Sequence, residues 1–183
     1  MVYEEGTSIF TDPVLVYLSR SWRAPTEFRI FDHVDRPRGL SRKVRPWALP
    51  ATSVELSDPW GAPLLKVTPT RELFRFNHRV EGVASARFTM PTIRSSELTI
   101  VQNREPFGFI VGAGFQGVRG TRLTVLDDSR CEVGEIRTFP GSGPWRQRTV
   151  GHVVSLEPGL GGPLRRLLVA APPIIEAIRM ATQ

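Results

Sequence analysis

Val54-Glu55-Leu56-Ser57-Asp58 leads through Pro59-Trp60-Gly61 into Leu64-Leu65-Lys66-Val67. Apolar and polar residues alternate in both runs, which is typical of β-strands with one buried and one exposed face. Asp and Gly suit the turn between the runs, because Asp hydrogen-bonds to nearby backbone and Gly adopts a positive φ without strain. This stretch therefore predicts a β-hairpin.

The same pattern recurs along the chain. Further strands are predicted at 14–18, 28–32, 74–77, 83–88, 98–103, 107–111, 123–127, 133–136 and 150–156. The turns are predicted to start at Asp32, Asp58, Asn77, Asn103 and Asp127. The turn after residues 28–32 is placed around Arg38-Gly39, and residues 35–52 and 140–149 are predicted to be exposed connections. So many hairpins leave sheet edges exposed unless the sheet closes into a barrel. We therefore predict a mostly β, closed antiparallel barrel formed by one domain over residues 1–183.

The C-terminal segment changes from strand spacing to helical spacing. Its apolar residues follow the period of an α-helix: Leu164, Leu167, Leu168, Ala171, Ile174, Ile175 and Ile178. The uninterrupted apolar run is shorter than the roughly 20 residues that cross a bilayer. We expect residues 163–182 to form a central helix buried in the barrel. Pro172 and Pro173 lack an N–H, so the helix should kink or restart there.

Three segments of the chain resemble the phospholipid scramblase-like and LURP-one-related family, which shares the tubby C-terminal fold. They are Ser8-Ile9-Phe10-Thr11-Asp12-Pro13-Val14-Leu15-Val16, Glu27-Phe28-Arg29-Ile30-Phe31-Asp32 and Pro163-Leu164-Arg165-Arg166-Leu167-Leu168-Val169-Ala170-Ala171. The resemblance covers nearly the whole chain. It implies about twelve strands around a hydrophobic C-terminal helix. Members of the family include phosphoinositide binders and many bacterial proteins of unknown role.

A basic cluster between the first predicted hairpins is the candidate binding site. Its members are Arg36, Arg38, Arg42, Lys43, Arg45 and Trp47. Arginine binds phosphate through two parallel hydrogen bonds, and tryptophan suits a membrane interface. The alternative is a solvated turn with an incidental tryptophan. Trp145, Arg146 and Arg148 form a second, weaker group. A formal net charge of +6 favours anionic partners in general, although no DNA- or RNA-binding motif accompanies the charge.

Motifs for catalysis and metal binding have little support. Gly112-Ala113-Gly114-Phe115-Gln116-Gly117 satisfies the dinucleotide pattern, but too few residues follow it for the required helix. A glycine-rich turn is the simpler interpretation. His33, His78 and His152 lie far apart, and Cys131 is the single cysteine. We therefore expect no catalytic residue, cofactor or metal ion.

Together these observations favour a non-catalytic binding or scaffold module of the scramblase-like, LURP-one-related type. Anionic lipid headgroups are the expected ligand, and a protein partner is the other expectation. Two alternatives stay open: a peripheral phospholipid scramblase-type membrane protein, and an enzyme that uses a nucleotide at residues 112–117. The acidic start, Met1-Val2-Tyr3-Glu4-Glu5, does not follow a signal-peptide pattern, so we expect a cytoplasmic location with peripheral membrane contact.

Overall fold

A computed structural model describes residues 9–19, 27–44, 53–72, 75–82, 86–92, 95–116, 122–140 and 150–181. Twelve strands form one closed antiparallel barrel in which each strand pairs with its neighbours in sequence, and β1 pairs with β12. The strands are β1 Val14–Ser19, β2 Glu27–Asp32, β3 Pro37–Val44, β4 Ser53–Ser57, β5 Pro63–Glu72, β6 Arg75–Gly82, β7 Ala86–Met90, β8 Glu97–Gln102, β9 Glu105–Val111, β10 Arg122–Asp127, β11 Glu132–Pro140 and β12 Val150–Leu156. The predicted fold class is confirmed.

The two ends of the barrel differ in the number of residues that connect the strands. At one end, which we call the hairpin end, short connections at 33–36, 58–62, 83–85, 103–104 and 128–131 join successive strands. Most connections at the opposite end are longer, at 20–26, 45–52, 73–74, 91–96, 112–121 and 141–149. The turns at 33–36, 58–62 and 128–131 share one design. In each turn an Asp carboxylate accepts a hydrogen bond from the backbone N–H of a later turn residue. The pairs are Asp32 with Val34, Asp58 with Trp60 and Asp127 with Cys131.

Two of the predicted turns are wrong. Gly39 lies inside β3, within the segment predicted as an exposed connection, and Asn77 lies inside β6. A side chain at position 39 would place its Cβ 2.6 Å from the Ser57 carbonyl oxygen, so Gly39 permits close strand packing rather than a turn. The many arginines and prolines of this segment indicated an exposed connection. The inward positions of β3 gave no apolar signal against that prediction, because Gly39 and Ser41 are small although both are buried.

The C-terminal helix fills the barrel in two segments, α1 Gly162–Leu168 and α2 Ala171–Ala181. The predicted helix residues are all at most 5% exposed and belong to the same hydrophobic core as the inward side chains of the strands. The restart predicted at Pro172-Pro173 is confirmed, because both prolines fall in the first turn of α2, where no N–H is needed. In the described part of the chain, neither helix is long and apolar enough to cross a membrane.

Tyr17 holds the break between the two helical segments. Its hydroxyl donates a 2.7 Å hydrogen bond to the carbonyl of Val169, and the ring is fully buried. That carbonyl lies where one helix has ended and the next has not begun, so a side chain takes the place of a helical N–H. Burial also raises the pKa of Tyr17, which keeps the hydroxyl protonated as a donor.

Arg165 fixes the start of the helix at the hairpin end. Its guanidinium donates to the carbonyls of Thr11 at 3.0 Å, Asp12 at 3.1 Å and Glu157. The side chain is buried, so its charge is compensated by these oxygens rather than by water. One arginine therefore joins α1 to the segment before β1 and to the chain leaving β12.

We expect Tyr17→Phe to lower the free energy of unfolding by about 1–3 kcal/mol, because the Val169 carbonyl would stay buried without its donor. Urea unfolding followed by circular dichroism would measure the loss. Ser57→Ala serves as the control, since the Ser57 hydroxyl makes a half-buried 3.5 Å contact with a strand carbonyl. Equal stability of Tyr17→Phe and the parent protein would show that the break does not depend on this hydrogen bond.

Candidate anion-binding site

The structure spreads the predicted basic cluster along β3 instead of gathering it. Arg36 lies exposed in the turn before β3, whereas Arg42 lies exposed on the outer wall with Nη2 3.2 Å from Glu27 Oε2. Lys43 is half-buried and points inward near α2. Arg45, Trp47, Trp145, Arg146 and Arg148 lie outside the residues that the structure describes. The described members do not share one surface, and an anion-binding role for the cluster stays a prediction.

Arg38 is occupied by two carboxylates at the hairpin end. Its Nε lies 2.9 Å from Asp12 Oδ2, and its Nη2 donates to Asp32 Oδ2 at 2.9 Å. Burial disfavours the charged form of Asp32, but the backbone N–H groups of Arg36 and Val34 and the Arg38 guanidinium lower the pKa of Asp32 overall. This arginine therefore stabilises the first turn and has little capacity left for a ligand.

A buried polar network joins α2 to the barrel wall at the end opposite the hairpins. His152 Nδ1 lies 3.2 Å from the Thr138 hydroxyl, and His152 Nε2 lies 3.4 Å from Glu176 Oε1. Arg179 Nη1 donates to the same oxygen at 3.1 Å. The row of hydroxyl, imidazole and carboxylate resembles a catalytic arrangement, but all three side chains are buried. We interpret it as the polar attachment of α2.

Lys43 approaches this network from β3. Its Nζ lies 3.6 Å from Met180 Sδ, and burial lowers the pKa of Lys43 while the Glu176 carboxylate opposes that shift. Adjacency in sequence predicts that Lys43 lies with the surface arginines, but the structure turns it inward. In a strand, successive side chains point to opposite faces, which sends Lys43 inward and Arg42 outward.

The glycine-rich segment does not have the surroundings of a nucleotide site. Gly112 has a φ of 147°, and Ala113–Gln116 forms one short 3-10 helix with Phe115 fully buried in the core. The chain then enters β10, which pairs antiparallel with β9. A dinucleotide motif instead requires a long helix and a parallel return strand. Residues 112–116, the described part of the segment, therefore form a glycine-rich connection between β9 and β10.

Three other arginines meet on the outer wall of β6, β7 and the β8–β9 turn. Arg79 and Arg87 lie directly opposite each other across the β6–β7 pair. Together with Arg104 they line a groove of about 370 Å³, which Ala86, Val101 and Asn103 complete. We call this feature the arginine groove. It opens beside the hairpin end, because Arg87 lies near the start of β7 and Arg104 lies in the turn itself.

The charges of the arginine groove are largely uncompensated. Arg79 Nε lies 3.5 Å from Glu81 Oε1, and this pair is about half exposed. Across the described chain, no carboxylate lies within 4.0 Å of the guanidinium of Arg87 or of Arg104. Like charges directly opposite each other destabilise a strand pair, so this register works against folding. Arg79, Arg87 and Arg104 are therefore exposed, line one groove and are available to an anion.

Arg104 also occupies a backbone position that normally suits glycine. Asn103 and Arg104 form a two-residue hairpin turn with φ values of 52° and 71°. Such turns favour Asn followed by Gly, because both central residues need a positive φ. Arginine at the second position carries a conformational cost of about 1 kcal/mol. The turn thus accepts a less favourable backbone conformation and places a guanidinium at the mouth of the groove.

The arginine groove is not predicted by the sequence, because its residues are distant in the chain. Arg79 and Arg87 become neighbours through the β6–β7 register, and Val101 places the next strand beside Arg87. The outward alternation of both strands was a usable signal. The turn predicted at Asn77 hid this signal, because it ended the predicted strand before Arg79, whereas β6 continues to Gly82.

Comparison with known proteins found no match to this chain among family models, curated proteins or solved structures. The resemblance to the scramblase-like, LURP-one-related family therefore stays a prediction that rests on the three quoted segments. Within the described ranges, no group of three or more His, Cys, Asp or Glu side chains could hold a metal ion.

We expect stability to fall as the pH drops from about 7 to about 5. Burial lowers the pKa of His78 to about 4, so His78 stays neutral in the folded protein, and burial also lowers the pKa of His152. The unfolded chain takes up these protons near pH 6.5, so it binds more protons than the folded chain over this range. His78 contributes up to about 2 kcal/mol of the loss.

Urea unfolding at several pH values would measure this slope. His78→Leu should flatten the slope, because a buried leucine takes up no proton in either state. His33→Gln removes an exposed histidine and is the matched control. An unchanged slope in His78→Leu would show that the burial of His78 is not linked to the pH dependence.

Proposed function

We propose that this chain is a non-catalytic binding module of the scramblase-like, LURP-one-related type, and that its arginine groove binds the phosphate groups of anionic lipid headgroups. The convergence of Arg79, Arg87 and Arg104 carries the proposal. Guanidinium groups bind phosphate oxygens through paired, charge-assisted hydrogen bonds, and three of them suit a headgroup with more than one phosphate. Bound phosphate would also relieve the repulsion between Arg79 and Arg87.

The filled interior supports binding on the outside of the barrel. The helix side chains share one core with the inward strand residues, including Leu167, Ile174 and Ile178 at 0–1% exposure. A ligand in the lumen would have to displace the helix and thereby expose its apolar face. The outer wall around the groove needs no such rearrangement. A surface site with exposed charges also suits a reversible contact with a membrane.

The test of the proposal is a triple variant, Arg79→Gln, Arg87→Gln and Arg104→Gln. Each basic residue at an anionic membrane contributes about 1 kcal/mol, so the apparent affinity should fall on the order of a hundredfold. Binding would be measured by co-flotation with phosphatidylcholine vesicles that contain or lack phosphatidylinositol bisphosphate, and by calorimetry with soluble inositol trisphosphate. High salt should weaken the binding of the parent protein.

The matched control removes the same charge elsewhere. Arg29, Arg122 and Arg137 are also exposed, but each has a carboxylate within 3.9 Å. The control variant Arg29→Gln, Arg122→Gln and Arg137→Gln should keep most of its affinity. Equal losses in the two triple variants would attribute binding to net charge and reject the groove. Absence of binding by the parent protein to vesicles and to soluble inositol trisphosphate would reject the proposed function.

A further inference from the structure

Two adjacent turns at the hairpin end hold large apolar side chains in solvent. Trp60 in the β4–β5 turn is 88% exposed, and Val34 in the β2–β3 turn is 53% exposed. The two hairpins are neighbours, because β3 pairs with β4. Inward apolar residues of the same hairpins, such as Ile30 and Leu56, are fully buried. Trp60 and Val34 are therefore not part of the core. Exposed tryptophan on a protein surface marks a contact site more often than exposed aliphatic residues do.

The turn that carries Trp60 is well ordered by hydrogen bonds. Asp58 Oδ1 accepts from the backbone N–H of Trp60 at 2.9 Å and of Ala62 at 2.8 Å. The Asp58 N–H donates to the Ala62 carbonyl at 2.9 Å, and Gly61 supplies the positive φ of 94° that closes the turn. A fixed tip loses little conformational freedom when its side chain is buried by a partner, which favours binding.

The acidic residues of these two turns are mostly engaged. Asp58 accepts the two backbone N–H groups, and Asp32 accepts two others and pairs with Arg38. Asp35 is exposed at a φ of 61° and is followed directly by Arg36. The tips therefore combine two exposed apolar side chains with carboxylates that are held by backbone N–H groups or by Arg38, and the tryptophan suits the interfacial layer of a bilayer. Tryptophan has a marked preference for that layer.

We propose that the hairpin end docks on anionic phospholipid bilayers, with Trp60 and Val34 inserted into the interfacial layer. The proposal rests on the proposed function and adds the orientation of the protein. The strands β6 and β7 follow the β4–β5 hairpin around the barrel, and Arg104 in the β8–β9 turn places the arginine groove on the outer wall beside the same end as Trp60. Insertion of the tips would bring the groove to the level of the headgroup phosphates. The apolar tips supply affinity for the bilayer, and the groove supplies the choice of headgroup.

Fluorescent probes at the two ends of the barrel test this orientation. Cys131 is exposed and is the single cysteine of the chain, so Cys131→Ser provides a background without a reactive thiol. A polarity-sensitive dye would be attached at His33→Cys, beside Val34, or at Thr92→Cys, an exposed position at the opposite end. Phosphatidylcholine vesicles with phosphatidylinositol bisphosphate should shift the emission of the His33→Cys dye to the blue and leave the Thr92→Cys dye unchanged.

A response at Thr92→Cys without one at His33→Cys would place the opposite end on the membrane and overturn the proposal. The proposal is also overturned if the protein floats with vesicles while neither dye responds, because the headgroup would then be bound without insertion. In both cases the triple arginine variant still decides the proposed function, since its loss of soluble inositol trisphosphate binding does not depend on orientation.

Substitution of the tryptophan provides the second test. Trp60→Ser should weaken binding to the bisphosphate vesicles about tenfold, because the variant loses the apolar surface that the indole would bury in the bilayer. Its binding of soluble inositol trisphosphate should stay unchanged, and Trp60→Phe should restore most vesicle binding. Equal vesicle binding by Trp60→Ser and the parent protein would overturn the inserted tip. A parallel loss of soluble ligand binding would do the same, because it would assign Trp60 to the groove rather than to the bilayer contact.

Discussion

A closed barrel of this size depends on the helix that fills it. The inward residues of twelve strands form an apolar lining, and water inside that lining would leave the strands without a core. The helical segments supply the missing apolar surface through side chains such as Leu164 and Ile178, which are at 5% exposure or less. The break at Val169 lets the chain restart with Pro172 and Pro173 in the first turn of α2, and the Tyr17 hydroxyl satisfies the carbonyl left at the break.

The helix is attached to the barrel by different chemistry at its two ends. At the hairpin end Arg165 donates to backbone carbonyls, so one buried cation is solvated by the chain itself. At the opposite end Glu176 lies between His152 and Arg179, where a carboxylate is shared by two nitrogen groups. We expect polar groups buried in this way to set the depth and rotation of the helix, whose apolar face would tolerate several positions. Burial of His152 and His78 also links this packing to pH.

The outer wall of the barrel carries residues that do not contribute to its packing. Inside, the apolar side chains form one core, whereas Arg79 and Arg87 repel each other and Arg104 occupies a backbone conformation better suited to glycine. Positions that violate local rules without a structural gain are where function is most often found. The same reasoning applies to Trp60, since a tryptophan at 88% exposure contributes nothing to the core. These features lie at or beside one end of the barrel, and they give that end a chemical character distinct from the rest of the wall.

Period-two alternation, turn residues and helical spacing in the sequence determined the barrel, eleven of its twelve strands and the buried helix, because these patterns report local geometry and burial. The restart at the two prolines followed from their missing N–H. The sequence did not reveal β3, because its inward residues Gly39 and Ser41 are small and the charged residues Arg38 and Arg42 flank them. Tertiary structure decided which basic residues meet. Strand alternation separates Arg42 from Lys43, while antiparallel register brings Arg79 to Arg87, and such long-range register is set by closure of the whole barrel rather than by neighbouring residues.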